Sequence, residues 1–281
     1  MLKITFLILL YFFCTKCSGF ESNCNCGWRN FGKIIGGEKS DDGEWPMMAA
    51  LMSKPENVQF CGGTIISNHH VLTAGHCVHA RYKKLPVSSF GVVFGINNLD
   101  EVKPSNIISP KKIIAHPNYV WPLSYDVAIL VMKSIEFSHN IGPACLPLKK
   151  FNAVGKTLHH TGWGMVKAYG MGSRILKKTK LEGVDLDLCN STFAQYEHLV
   201  KIREHHLCTY QPATSQCKGD SGGPILWDDP KTKRYYLVGL ISFGWYSCDT
   251  PSVNVDVSYF VPWIYQILST TGDDVCAFQE L

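Results

Sequence analysis

Apolar residues in this chain occur mostly in short runs that turn-forming residues interrupt. Representative runs are residues 71–73, 91–94, 127–132 and 235–242. Short β-rich runs between Gly, Pro, Asn and Ser are typical of antiparallel barrels and sandwiches, whereas βαβ folds alternate strands with longer helical segments. The pattern therefore predicts an all-β domain with frequent turns.

One segment near the carboxyl end has a helical period. Val261, Ile264, Tyr265 and Leu268 recur at helical spacing, and Pro262 stands near the start, where proline is tolerated. These residues predict an amphipathic helix over about 261–269. No linker rich in Gly, Pro or Ser divides the β region, so we expect its units to share a broad interface.

The first residues follow a different pattern. Lys3 precedes an uncharged apolar run over residues 4–14, and small residues follow up to Gly19. This order is typical of a secretory signal peptide. The alternative is a membrane anchor, which needs about 20 apolar residues. We therefore expect residues 1–19 to be a signal peptide, the protein to be secreted and extracellular, and no membrane to be bound.

Composition agrees with a globular extracellular domain. Apolar residues make up 46% of the 281 residues and charged residues 18%, which excludes intrinsic disorder. The formal net charge is only +4, without a run of five like charges, so we expect no nucleic-acid partner. Twelve cysteines are many for a reduced cytosolic protein, and ten remain beyond the signal peptide.

Three separated motifs carry residues suited to nucleophilic catalysis. His76 lies in Thr-Ala-Gly-His-Cys, Asp126 in Tyr-Asp-Val-Ala-Ile-Leu, and Ser221 in Gly-Asp-Ser-Gly-Gly-Pro. A serine hydroxyl is a weak nucleophile until a neighbouring base accepts its proton. Gly-x-Ser-x-Gly also marks α/β-hydrolases, but those chains run serine, acid, histidine. The order here is histidine, aspartate, serine, which together with the β-rich pattern excludes that fold.

These motifs, with the Gly-Trp-Gly turn at residues 162–164, resemble those of chymotrypsin-like serine proteases. The resemblance covers residues 34 to about 269. It implies an all-β fold of two six-stranded antiparallel β-barrels with a C-terminal helix. The protease domain would be residues 34–281, with one barrel in about 34–145 and the other in about 146–260.

The resemblance also implies roles for the motif residues. His76 would be the general base, Asp126 would fix its tautomer, and Ser221 would be the nucleophile. The backbone N–H groups of Gly219 and Ser221 would form the oxyanion hole. We therefore expect a serine endopeptidase. A non-catalytic homologue that acts as a binding or cofactor protein is the rival, but such proteins usually lack one of the three residues.

Residues 33–37 resemble the activation site of the family. Cleavage after Lys33 would free the amine of Ile34, which would pair with Asp220 beside the nucleophile. Residues 20–33 would then be a propeptide, and the protein would be a zymogen whose activating protease prefers a basic residue. A buried carboxylate needs a partner, so a cation delivered only by cleavage is a switch.

Substrate specificity is expected from a set of pocket residues that the resemblance assigns: Ser215, Ser242, Phe243, Gly244 and Ser252. Ser215 stands where trypsin-like members carry Asp, so the pocket should prefer apolar residues. Ser252 replaces a common glycine and should narrow the pocket. Asp249 leaves a trypsin-like preference for Lys or Arg open, should it reach the pocket.

The cysteines imply five disulfides. The resemblance implies Cys61 with Cys77, Cys189 with Cys208, and Cys217 with Cys248. Four cysteines remain, which allow three connectivities: Cys24, Cys26, Cys145 and Cys276. We favour Cys26 with Cys145 and Cys24 with Cys276, although exchanging the first partners is nearly as good. Both versions leave the propeptide attached after cleavage.

The remaining signals are weaker. Asn190 begins the sole Asn-x-Ser/Thr sequon and is expected to carry a glycan. Adjacent histidine pairs point to opposite sides of a strand, so we expect no metal and no cofactor. Partners would be protein or peptide substrates, the activating protease and protein inhibitors, with the enzyme itself a monomer. The Cys-x-Cys-Gly-Trp segment resembles secreted arthropod venom or salivary proteases, and digestive, venom and haemolymph roles stay open.

Overall fold

The computed structural model describes residues 25–30, 40–121, 124–165, 170–194, 201–212, 219–244, 250–271 and 278–279. Their regular secondary structure is mostly β-strand, as the short apolar runs predict. No helix among them is both long and apolar enough to cross a membrane.

The amino-terminal half forms a six-stranded antiparallel sheet and a small hairpin. The strands are β1 (Met48–Ser53), β2 (Gln59–Ile65), β3 (His70–Thr73), the hairpin β4 (His79–Ala80) and β5 (Lys83–Lys84), β6 (Phe90–Phe94), β7 (Lys112–Ala115) and β8 (Ala128–Val131). The order across the sheet is β6-β1-β2-β3-β8-β7. One bridge between Val92 and Ile108 joins β6 to the segment before β7, so the sheet curls toward closure without a continuous ladder there.

The carboxyl-terminal half forms a closed barrel. Its strands are β10 (Thr157–Gly162), β11 (Lys177–Val184), β12 (His206–Tyr210), β13 (Pro224–Asp228), β14 (Tyr235–Phe243) and β15 (Ser252–Asp256). They close in the order β10-β11-β12-β15-β14-β13. Outside both sheets, β9 (Leu146–Pro147) pairs in parallel with β16 (Phe278–Gln279).

In the part of the chain that the structure describes, helices are few and short. They are the 3-10 turns Gly75–Val78, Leu99–Glu101 and Pro104–Asn106, and the α-helices α1 (Leu186–Phe193) and α2 (Val257–Thr270). The terminal helix α2 begins four residues before the predicted start, so residues 257–260 belong to it and not to the barrel. Asp256 causes the earlier start because its carboxylate accepts the N–H of Ser258 as an N-cap. Pro262 therefore lies inside the helix rather than at its beginning.

Side chains alternate in direction along the strands and so divide the apolar core into separate clusters. On β1, Ala49 and Leu51 face the interior of the first sheet, whereas Met48 and Ala50 face a second cluster shared with the barrel and α2. That shared cluster includes Phe260 and lies between the two halves. It fixes the halves against each other, and the candidate site lies where they meet.

Three disulfides join cysteines within the described ranges, and one holds the amino-terminal segment. They join Cys26 to Cys145, Cys61 to Cys77, and Cys189 to Cys208. Next to the first, Trp28 lies edge-on against Phe137, and Arg29 forms an ion pair with Asp228. The other two expected pairs, Cys24 with Cys276 and Cys217 with Cys248, lie outside the described residues.

Candidate active site

Strand pairing brings His76 and Asp126 together. β3 and β8 are antiparallel neighbours, and Thr73 lies opposite Ala128. His76 follows β3 in a 3-10 turn and Asp126 lies two residues before β8, so both lie at the same end of the strand pair. The disulfide from Cys77 to Cys61 on β2 fixes that turn.

Asp126 is held by three hydrogen bonds. Its Oδ1 accepts the backbone N–H of His76 at 2.7 Å, and its Oδ2 lies 2.7 Å from His76 Nδ1. The hydroxyl of Ser242 also donates to Oδ2, at 2.6 Å. Because the carboxylate accepts from Nδ1, that nitrogen carries a proton and Nε2 of the neutral ring is left as the base.

Both partners have shifted pKa values. Burial disfavours the imidazolium, but the negative charge of Asp126 and its hydrogen bond outweigh burial and raise the pKa of His76 above 6.5. Burial also opposes the charge on Asp126, yet His76 and the hydroxyl of Ser242 lower the pKa of this carboxyl below its ordinary value. At neutral pH the carboxylate is therefore ionised, and the ring beside it is a stronger base than a free imidazole.

Ser221 lies across the junction from His76. Its carbonyl oxygen accepts the N–H of Gly62 on β2 at 2.8 Å, which ties the serine loop of the barrel to the first sheet. Cys77 Sγ lies 3.5 Å from that same oxygen and 3.8 Å from His76 Nε2. One sulfur atom thus contacts both the nucleophile candidate's backbone and the base candidate's ring. Gly62 permits this approach because a Cβ added to it would lie 2.9 Å from the Cα of Gly223.

Gly219 adopts a backbone conformation that suits glycine. Its φ is +100°, and an added Cβ would lie 3.0 Å from the Cα of Gly164. The carbonyl of Gly219 accepts from the side-chain amide of Gln59 at 2.8 Å. The described loop therefore holds Gly219 beside Ser221, where an oxyanion hole is predicted, and Gln59 anchors it from β2.

Asp220 is buried against the turn at residues 162–164. Its Oδ1 accepts the N–H of Gly164 at 2.8 Å, and the same oxygen lies 3.3 Å from His160 Nε2. A Cβ on Gly162 or Gly164 would lie within 2.5 Å of the carboxylate, so these two glycines create its space. Lys33 and Ile34, the predicted activation residues, lie outside the described residues.

Part of the predicted substrate pocket is described. Ser252 on β15 is buried, and its Oγ lies 3.0 Å from where a Cβ on Gly244 would stand. Phe243 packs edge-on against Phe193 of α1, with ring centroids 5.4 Å apart. Ser215 and Asp249 lie outside the described residues, so the floor of the pocket remains a prediction.

Two other predictions concern a glycan and a metal ion. Asn190 is exposed on α1, where a glycan could be attached. In the described part of the chain, one grouping has the spacing of metal ligands, namely Cys61, His76 and Cys77. Its sulfurs are bonded to each other and are not thiolates, so the group is a poor fit for a metal.

Sequence reasoning missed three contacts around the site. Ser242 was predicted only to bind substrate, but its hydroxyl also contacts Asp126. Gln59 and His160 were given no role at the site, yet they contact Gly219 and Asp220. The available signal for His160 was its inward position on a strand, two residues before the Gly-Trp-Gly turn.

Comparison with known proteins identifies the family. A family model described as Trypsin matches residues 34–264. The chain belongs to the trypsin family of serine proteases. It is thereby a serine endopeptidase, a hydrolase, and the resemblance inferred from its motifs is confirmed.

Several relatives of this trypsin-family chain come from arthropod venoms. It is 34% identical over 271 residues to "Venom serine protease 34" of Apis mellifera, covering 92% of this chain and 64% of that protein. It is 32% identical to "Venom serine protease" of Polistes dominula, covering 91% and 92%. It is 31% identical to "Proclotting enzyme" of Tachypleus tridentatus, covering 83% and 65%. The chain thus spans nearly all of the Polistes relative and less than two thirds of the other two.

Proposed function

We propose that this protein is a secreted, catalytically active serine endopeptidase made as a zymogen. The observation that carries the proposal is the hydrogen-bonded pair of His76 and Asp126, which lies beside the loop of Ser221. The secretory pattern of residues 1–19 and the venom proteases among its relatives support secretion.

The proposed mechanism proceeds through an acyl-enzyme. Ser221 Oγ attacks the carbonyl carbon of the scissile bond while His76 Nε2 accepts its proton, and Asp126 stabilises the resulting imidazolium. The N–H groups of Gly219 and Ser221 bind the negative oxygen of the tetrahedral intermediate. His76 then protonates the leaving amine. In the second half of the reaction His76 accepts a proton from water, the water attacks the ester on Ser221, and His76 returns a proton to Ser221 Oγ.

Activation is proposed to follow cleavage after Lys33 by a protease of basic specificity. The new ammonium of Ile34 would join the buried carboxylate of Asp220, which neighbours Ser221 and so transmits the change to the oxyanion hole. Replacing Lys33 with Gln should give a precursor with less than about 1% of the activity of the cleaved enzyme at pH 8, since the loss of the full counter-charge that the ammonium of Ile34 would bring to a buried carboxylate costs several kcal/mol. Full activity of the uncleaved variant would contradict this route.

The cleaved enzyme is proposed to prefer apolar residues before the scissile bond. A neutral floor at Ser215 would leave a buried Lys or Arg without an ion partner. Ser252, facing Gly244, narrows the slot and favours Leu, Met, Phe or Tyr over Trp. A trypsin-like preference remains the alternative, because Asp249 could supply a carboxylate from the neighbouring loop.

A peptide panel tests both activity and specificity. Protein cleaved after Lys33 is assayed on peptides that differ only in the residue before the scissile bond: Phe, Tyr, Leu, Ala or Arg. Ser221→Ala is the matched control and should be inactive. Preference for Phe, Tyr or Leu supports the neutral floor, and preference for Arg supports the trypsin-like alternative. Inactivity on the whole panel would favour a non-catalytic binding or cofactor protein.

The propeptide is proposed to stay linked as a light chain. The disulfide from Cys26 to Cys145 supports this, together with the packing of Trp28 and the ion pair of Arg29. Electrophoresis of cleaved protein should show a separate light chain only after reduction. Its release without reductant would refute the linkage.

A further inference from the structure

His160 is a buried titratable residue that the proposed mechanism does not use. It lies on β10, where strand alternation turns Leu158 and His160 to the inside of the barrel and His159 to the opposite face. Its side chain is almost fully buried. Other inward side chains of this barrel, such as Ile225 and Val238, are apolar, so a histidine here needs a polar partner at each nitrogen.

Both nitrogens of His160 face hydrogen-bond acceptors. Nδ1 lies 3.2 Å from the carbonyl oxygen of Pro224, and Nε2 lies 3.3 Å from Oδ1 of Asp220. A carbonyl and a carboxylate accept but do not donate. A neutral imidazole would therefore turn a lone pair toward one of the two oxygens. The imidazolium carries a proton on each nitrogen and so turns a donor toward both oxygens, which fits a charged ring.

The neighbouring strands β11 and β13 carry other ionisable groups. On β11, Lys178 pairs with Glu44, and Lys180 is exposed. The remaining ionisable residues of β11 and β13 are Lys177, Glu182 and Asp228, and Asp228 pairs with Arg29. Among the described residues, Asp220 is the carboxylate that directly faces the ring of His160.

We propose that His160 is a built-in counter-ion of Asp220. Its imidazolium holds the carboxylate at the N–H of Gly164, the position from which Asp220 orients the backbone of Gly219 and Ser221. This inference rests on the proposed function, in which Asp220 controls activation. His160 is then a positioning residue that supplies part of the positive charge before the amine of Ile34 is available.

The proposal links protonation of His160 to the positions of the Gly219 and Ser221 backbone at the candidate site. If the charged ring favours the inward carboxylate, then by reciprocity acidification shifts the uncleaved protein toward the aligned state. In the cleaved enzyme the amine of Ile34 already secures Asp220, so protonation of His160 adds little. The precursor and the cleaved enzyme should therefore differ in pH dependence.

Nuclear magnetic resonance of the ring tests the pairing without requiring activity. The sample is full-length protein with Lys33→Gln and Ser221→Ala, and His160→Gln identifies the signals of His160. We expect N–H protons on both ring nitrogens at pH 6, and we expect Asp220→Asn to lower the proton affinity of this ring about tenfold. A change under threefold would overturn the proposal. If Asp220→Asn does not fold, the absence of either N–H proton decides against it.

A ratio of activities tests the consequence. The ratio of kcat/KM of the Lys33→Gln precursor to that of the cleaved enzyme cancels the titration of His76, which both share. We expect this ratio to rise at least threefold from pH 8 to pH 5.5, and His160→Gln to abolish the rise. His159→Gln, on the same strand but facing Trp45, is the matched control and should keep it.

A flat ratio, or one that His160→Gln leaves unchanged, would overturn the proposed role. An inactive cleaved enzyme would instead refute the proposed function. The resonance experiment would still decide whether His160 and Asp220 are paired, so the two failures are distinguishable.

Discussion

Replacing Ser242 with alanine tests how the carboxylate beside His76 is held. The hydroxyl of Ser242 donates to Asp126 Oδ2 at 2.6 Å. Ser242 is 5% exposed and Asp126 1% exposed, so bulk water does not replace the lost donor. A hydrogen bond to a charged group contributes about 1.5–3 kcal/mol, and we expect the free energy of unfolding of Ser242→Ala to fall by that amount at pH 8.

The stability difference should depend on pH in a defined direction. The pKa of Asp126 is lower in the folded protein than its ordinary value of 3.8. Its ionised form therefore stabilises the fold above that ordinary value, and this contribution is lost as pH falls through the folded pKa. Urea denaturation should accordingly show the full difference between wild type and Ser242→Ala at neutral pH and a smaller one below the ordinary value.

The same substitution should move the acid side of the activity profile. Without the hydroxyl, more negative charge remains on Asp126, so His76 holds its proton more strongly. The pH at which kcat/KM rises reports the loss of that proton in the free enzyme. We expect this midpoint to move to higher pH in Ser242→Ala, measured on the best substrate of the peptide panel.

Ser258→Ala is the matched control. Its hydroxyl also donates to a buried carboxylate, that of Asp256 at the start of α2, away from the candidate site. This variant should lose comparable stability while keeping the kcat/KM profile of the wild type. The reasoning is refuted if Ser242→Ala is as stable as wild type at pH 8, or if both variants change the profile alike.

Three further predictions follow from the structure. Gly219→Ala should lower kcat by about 10²–10³-fold in steady-state assays, because φ of +100° strains any side chain at the predicted oxyanion hole. Gly142→Ala would put a Cβ 1.9 Å from the ring of Trp28 and should cost about 1–3 kcal/mol, with a red shift in tryptophan emission. Burial, followed by nearby positive charge, lowers the pKa values of His116 and His205, so the unfolded state takes up more protons. The contribution of these two histidines to the free energy of unfolding should therefore fall as pH drops below 6.5, and urea denaturation in which wild type and His116→Gln lose the same stability from pH 7 to pH 5 would contradict this.

The sequence by itself was sufficient for the family and the main elements. Motifs around His76, Asp126 and Ser221 keep a fixed chain order, and a protein of another fold would arrange the same residue types in a different order. The strands were predicted because short apolar runs and turn residues are local signals. The start of α2 was predicted too late because the apolar period begins at Val261, whereas the cap comes from Asp256.

Only the tertiary structure decided which polar groups surround the site. The contact of Ser242 with Asp126 joins residues 116 positions apart, and that of His160 with Asp220 joins two different parts of the barrel. Nothing in the local sequence distinguishes a serine that binds substrate from one that also holds a carboxylate. Side-chain alternation along a strand predicted that His159 and His160 face opposite sides, but not which residues each would contact. Such contacts depend on the closure of the barrel and on the packing of its halves, which bring distant residues into one buried volume.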